Sequence, residues 1–394
     1  MAVLPEPEVP GGEQARVLSG MANVAALTFL VARAVPLGWT VGVAAGVPLA
    51  RAAERHGARA GYAAATASLV ETVAIMGPAR MGIPVPHAAS APLLGVLERR
   101  HASFLMLAAA GAAVRTAYSV ATSAFSIVVL IGLDAYLGSY ERLRDALGFL
   151  PTGRAPALWL TLAGLIVWSI LAGVIQAWVV RRGLRRWAIA ATVEDAGPSR
   201  PTPGAAPGRR GAGALVGGAV VGFAATLAST GPWALGAIAL VLAAAWALTA
   251  ADGRTFVRGL GLAAPLALST FGFGAFGGIG ASLAGRRAAR VALLVMIAVW
   301  VRSAAGSDGL RDVSVRLVHR LRRVPVLAAT GAVLGASVSA SDFGGAARRL
   351  ASRLRTARRR PTPILDASLG WLADESTRLA APQADADDGP SGAT

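Results

Sequence analysis

The chain has 394 residues, of which 55% are hydrophobic and only 15% charged, against about 25% charged in an average soluble domain. That balance excludes a set of water-soluble domains and points to a membrane protein. Cysteine is absent, which removes disulfides, zinc–thiolate sites and cysteine nucleophiles; the formal net charge of +17 comes from arginine alone, and its placement matters more than its size.

Uncharged runs cover 17–32, 34–50, 116–133, 155–180, 211–251, 259–285 and 324–341, and a bilayer core takes about 20 mostly apolar residues per helix. The opening MAVLPEPEVPGGE carries acids and prolines where a signal peptide has a basic region, so the first span is expected to stay attached. Between Gly77 and Pro92 the prolines of GPARMGIPVPHAASAP predict an irregular, re-entrant stretch. The run 102–133 reads as one long helix with Arg115 in its middle, leaving a cytoplasmic LERRH at 97–101. With 134–154 outside, 155–180 returns to the arginine block at 179–187, because arginine marks the cytoplasmic side.

The Pro/Gly/Arg-rich stretch 191–210 divides the chain as a cytoplasmic linker. Residues 1–190 form a membrane domain of unassigned role, and 211–301 a second membrane domain. In the latter, 213–229 and 234–250 make a hairpin about the turn STGP at 229–232, and 259–285 crosses again. The short run 288–301 should return, yet threading leaves the RRAAR before it outside, against the arginine rule.

Residues 302–380 are expected to form cytoplasmic helices. Within 307–325, Leu310, Val313, Leu317, Leu321 and Val324 share one helical face, with Arg311, Arg316, Arg320 and Arg322 elsewhere. Arginine flanks 324–341 on both sides, so that run reads as a helix buried against protein on the cytoplasmic side rather than a crossing. A last helix, 364–380, carries Leu365, Leu369, Leu372 and Leu379, and 381–394 is an acidic disordered tail. The fold class is therefore all-α, a polytopic integral membrane bundle of about 8–9 spans with a cytoplasmic amphipathic-helical C-terminal region.

Gly272, Gly274 and Gly277 spell G-x-G-x-x-G, but a dinucleotide loop needs a strand, a helix and an acid about 20 residues on. No Asp or Glu occurs between Asp252 and Asp308. Gly274, Gly277 and Gly278 are expected instead to let helices approach closely, Gly274, Gly278 and Ser282 forming one ridge. The histidines are too scattered for a metal site, and GASLA at 280–284 misses the serine-hydrolase elbow. No catalytic, cofactor or metal site is expected, and the arginine-rich tail lacks the interleaved aromatics of a nucleic-acid binder, leaving membrane lipid or an acidic protein partner. Glu71 and Arg115 are charges inside apolar stretches, where a charge costs about 3 kcal/mol or more and marks a substrate or proton site or a structural ion pair; on neighbouring helices the two can pair.

In order and texture, residues 211–380 resemble the transmembrane T component of energy-coupling factor (ECF) transporters: an apolar hairpin, then RGLGLAAPLAL, then GRRAARVALLVMIAVWVRSAAGSDGLRDVSVRLVHRLRRVPV, then helices bearing small-Arg pairs. That resemblance implies a non-catalytic coupling subunit of a nutrient-uptake ABC transporter, working with ABC ATPase subunits and a substrate-binding membrane subunit. It assigns coupling to Arg348 in GGAARRLAS and Arg378 in DESTRLA, guanidinium being suited to bidentate pairing with ATPase carboxylates. The other readings are a stand-alone transporter or channel with its polar site in the first half, and a membrane scaffold without transport activity.

Overall fold

The computed structural model describes residues 10–33, 38–190, 211–249, 253–336, 340–357 and 360–380. The linker 191–210 and tail 381–394 lie outside the described residues, as does the side chain of Leu379. All regular structure among the described residues is helical. The helices are α1 (Gly12–Ala32), α2 (Gly38–Ala44), α3 (Gly46–Met76), α4 (Pro84–Arg99), α5 (Phe104–Phe125), α6 (Leu133–Leu147), α7 (Arg154–Ala190), α8 (Ala212–Ala228), α9 (Pro232–Leu248), α10 (Gly253–Phe276), α11 (Ala281–Arg320), α12 (Pro325–Gly335), α13 (Ala340–Thr356) and α14 (Pro361–Ala380). A 3-10 turn at Pro78–Arg80 sits between α3 and α4, and a π-helical stretch Ser126–Ile131 prolongs α5.

Five segments are long and apolar enough to cross a membrane: Gly12–Ala32, Phe104–Ile131, Arg154–Trp187, Gly253–Phe276 and Ala281–Arg320. Shorter apolar helices cover Ala212–Ala228, Pro232–Leu248 and Pro325–Gly335. The outer helices expose large apolar side chains, among them Leu105 on α5, Trp168 on α7, Val221 on α8, Leu240 on α9 and Leu268 on α10. Such a continuous apolar exterior is what lipid, and not water, would solvate.

Contacts at the helix ends show α5, α7, α8, α9, α10 and α11 running alternately up and down. At one end, Arg181 of α7 bonds Glu98 and the Ala102 carbonyl before α5, and Trp300 of α11 bonds Thr249 after α9. At the other, the start of α11 meets Ile131, Val129 and Ser229.

This second end shows what RRAAR does. Arg287 donates to the Ile131 carbonyl, Arg290 to those of Ser229 and Val129, and Arg286 to that of Thr230. Helix C-termini leave carbonyls without intrahelical partners, and cations there are favoured by the helix dipole. The three arginines cap α5 and α8, a structural duty that does not depend on which side of a membrane they lie.

The chain also turns earlier than the uncharged run 259–285 suggests. α10 ends at Phe276, Gly278 and Gly280 take φ +79° and +81°, and α11 begins at Ala281. The expected ridge of Gly274, Gly278 and Ser282 is thus broken by a turn that left-handed glycine makes possible. Beginning at Ala281 gives the returning helix the length that 288–301 lacked; it kinks at Gly306.

The proline-rich stretch is irregular only as far as Ile83. Pro84 and Pro86 lie in the first turn of α4, where the missing N–H has no helical partner to lose, and the helix runs on through Pro92 to Arg99. α3 and α4 pack tightly as a hairpin. Its turn touches α5 where Gly82 O accepts from the Tyr118 hydroxyl at 3.4 Å, about 21 Å along α5 by the 1.5 Å helical rise. Arg302 of α11 reaches the Ile75 carbonyl at 3.1 Å. The open ends of the hairpin lie at the Arg181 end, so α3–α4 enters the bundle part-way and returns.

Helix α12 is buried as expected, with Ala329, Val333 and Leu334 in one core with Leu18, Leu49 and Leu94. The α11 face is different: Leu310 and Val318 are buried, whereas Leu317, Leu321 and Val324 are exposed. α13 and α14 close over α1, α2 and α7, joining Leu350, Leu365 and Trp371 to Val24, Leu27 and Val47. Three cores therefore draw on both sides of the linker, the third joining Ala74 of α3 to Ala212, Met296 and Trp300.

Candidate functional site

Arg115 projects from the middle of α5 into a polar centre shared with α4 and α7. Its Nε donates to Gln176 Oε1 at 3.0 Å, and its Nη2 lies 3.0 Å from His87 Nδ1 and 3.2 Å from Nε2. Guanidinium can only donate, so the ring nitrogen that accepts from it carries no proton and the imidazole is neutral. Ser90 Oγ sits 2.9 Å from Gln176 Oε1 and 2.6 Å from the Pro86 carbonyl, both acceptors sharing its single proton. His87, Ser90 and Gln176 are almost wholly buried, and the Phe29 ring of α1 stands 6.2 Å from that of His87.

The partners of Arg115 are all neutral, and among the described residues no carboxylate pairs with it. Gln176 Nε2 is also buried with no hydrogen-bond partner. The centre therefore holds a partly buried positive charge and, on Gln176, a fully buried unused donor, an arrangement that calls for a compensating partner.

Glu71 does not meet Arg115. It pairs with Arg311 of α11 at 2.9 Å, with side-chain exposures of 5% and 16%, and Arg311 also donates to the Leu334 carbonyl at 3.0 Å. The α3–α4 hairpin lies between two partners: α3 turns Glu71 toward α11 and α12, while α4 faces α5 and α7. The pair neutralises itself and ties the two sides of the linker together.

The third charged region lies on the C-terminal helices. Asp366 of α14 is 3.0 Å from both Arg182 and Arg186 of α7. Burial works to raise the Asp366 carboxyl, but the Arg182 hydrogen bond and the two arginine charges outweigh it and hold the group below its ordinary value. Glu375, buried, pairs with Arg349 at 2.6 Å and lies 3.8 Å from Arg378; Arg348 and Arg378 remain exposed.

The glycines meet this chain itself. A Cβ on Gly277 would lie 2.2 Å from the Ala135 carbonyl of α6, one on Gly138 2.1 Å from the Gly277 carbonyl, and one on Gly274 2.8 Å from Ala284 Cβ. Gly278 faces Arg142. Gly277 thus serves a close helix approach, with α6 as the helix that leans on it.

Sequence reasoning found Arg115 and missed its company. The signal for Gln176 was present, since it is the lone amide in the uncharged run 155–180. Among the described residues no group of three or more His, Asp or Glu could hold a metal ion. Comparison with protein-family models, curated proteins and solved structures finds no match for this chain.

Proposed function

We propose that the chain is an integral membrane transport protein whose small solute reaches the Arg115 centre through an aqueous cavity bordered by the α3–α4 turn. The observation that carries this reading is the exposed turn itself: Pro78, Ala79 and Gly82 are exposed and Arg80 half-buried, at the level of Tyr118 in mid-α5. Irregular polar backbone at membrane depth is tolerated only inside protein or against water, and broken helices at that depth are how transporters build solute sites. On this reading the Arg181–Arg186 end of α7, the linker 191–210 and α13–α14 are cytoplasmic, following the arginine bias.

The absence of native cysteine makes the test direct. Ala79→Cys, in membranes, should react with a membrane-impermeant maleimide at a rate near that of an exposed loop, while Leu240→Cys on the apolar exterior should not. Equal inertness of both refutes the aqueous cavity. Flux of candidate solutes into proteoliposomes, reduced by Glu71→Gln or Arg115→Gln, is the functional measurement.

A second reading rests on Arg348 of α13 and Arg378 of α14, both exposed, α14 being tied to α7 by Asp366 and to α13 by the Arg349–Glu375 pair. They suit docking to acidic residues of ABC ATPase subunits, as the ECF resemblance implies. Copurification of an ATPase in mild detergent, abolished by Arg348→Glu with Arg378→Glu, supports it; a chain that never retains an ATPase removes it.

A further inference from the structure

We propose that Arg115, His87 and Gln176 form a binding site for a monoanionic oxyanion, best matched by the carboxylate of a small solute. The inference names the substrate class of the same centre and rests on the transport reading for its role in function. Three features converge on it. Arg115 is a cation whose described partners are a neutral imidazole and an amide oxygen, so one negative charge would neutralise the centre. Of its five N–H donors, Nε is taken by Gln176 and Nη2 bonds His87, leaving the Nη1 donors, which have no partner among the described residues, to meet a carboxylate. Gln176, fully buried, holds an unpartnered Nε2 donor on the same amide.

The surroundings agree in sign. His87 lies just past the first turn of α4, whose Pro84 and Pro86 carry no N–H and whose Val85 N–H bonds the Met81 carbonyl, so that helix end offers its dipole, about half a positive charge, and no free donor from these residues. Arg80 and Arg33 meet beside the turn, Arg33 Nη2 reaching the Arg80 carbonyl at 3.3 Å. Charge count decides between anions: one guanidinium beside a neutral histidine balances a monoanion and leaves a dianion uncompensated. A carboxylic-acid solute and the phosphodiester of an anionic lipid share that chemistry, and the experiment separates them.

The full chain, purified in neutral detergent, is titrated with sodium benzoate and sodium acetate at constant ionic strength, with choline chloride as the control salt, reading thermal unfolding and calorimetric heat. Saturable stabilisation by the carboxylates and none by choline is expected, with Arg115→Gln weakening binding roughly 10- to 100-fold, the loss of a charge-assisted contact. Because that variant can fail to fold, Gln176→Glu is the second arm. It installs a carboxylate beside Arg115, so it should unfold no lower than the native chain while losing the response to benzoate.

In nanodiscs, stabilisation by phosphatidylglycerol over phosphatidylcholine that benzoate competes away assigns the same site to a lipid phosphodiester. No saturable response to benzoate, acetate or phosphatidylglycerol overturns the proposal, as does a full benzoate response in Gln176→Glu. Benzoate binding without flux in proteoliposomes would remove the transport reading and leave the site standing; flux of uncharged solutes with no anion binding would do the reverse.

Discussion

Glu71→Leu tests the pair that joins the two sides of the linker. Glu71 and Arg311 meet at 2.9 Å with exposures of 5% and 16%, and removing one partner of such a buried pair costs about 3–5 kcal/mol because the other charge is stranded. Arg311 keeps the Leu334 carbonyl at 3.0 Å and some solvent, which places the expected loss nearer 2–3 kcal/mol by the same reasoning. Adding Arg311→Met removes the stranded charge, and since buried pairs are often replaceable by apolar residues of similar volume, the double variant should recover at least about 1 kcal/mol. Denaturant unfolding in mixed micelles, followed by tryptophan emission, reads all three. A single-variant loss below about 0.5 kcal/mol, within ordinary surface effects, or losses that add without coupling, would refute the assignment of this pair as a buried tie.

Gly277→Ala should destabilise by about 1–3 kcal/mol, because its Cβ would lie 2.2 Å from the Ala135 carbonyl, while Gly272→Ala, with nothing within 4 Å, should be neutral or better; equal thermal unfolding of the two variants contradicts the α6 contact. Asp366 is held below its ordinary value, so its contribution is complete above the unfolded carboxylate pKa of about 3.9 and is lost as the pH falls below that. A spin label at Gly370 should therefore gain mobility only in acid, and Asp366→Asn should flatten the profile. Arg349→Ala leaves Glu375, 2% exposed, with Arg378 at 3.8 Å; a loss of roughly 1–2 kcal/mol is expected, limited by the exposure of Arg349, and faster proteolysis within α13–α14 is the readout.

The membrane-length helices were legible because lipid imposes a compositional rule that single runs must satisfy. Arg115 was legible for the same reason, as a charge where the rule forbids one. Its partners were not, since His87 and Gln176 arrive from α4 and α7 and pairing across sequence leaves no local pattern. Glu71 and Arg115 looked like mutual partners because both were lone charges in apolar surroundings, and only packing assigns Glu71 to an arginine in the C-terminal half. The turn at 277–280 was hidden for a chemical reason: in FGGIGAS small residues serve a helix ridge and a left-handed turn equally well. RRAAR stood in conflict with the arginine rule because that rule concerns charge on a side of the membrane, whereas Arg286, Arg287 and Arg290 answer to carbonyls left open by other helices.

The position of α1 bears on how the molecule is made. Helix α1 is among the most enclosed helices, and part of what encloses it lies far along the chain, beyond the linker: Val24, Leu27 and Val31 share a core with Leu350, Leu365 and Leu372. Domains fold as units during synthesis where their contacts are local, but here α1 must find partners that emerge only after the linker and the helices from α8 to α12. A chain ending before α13 would leave that side of α1 bare, so late truncations should be removed by quality control even though every membrane-length helix is intact.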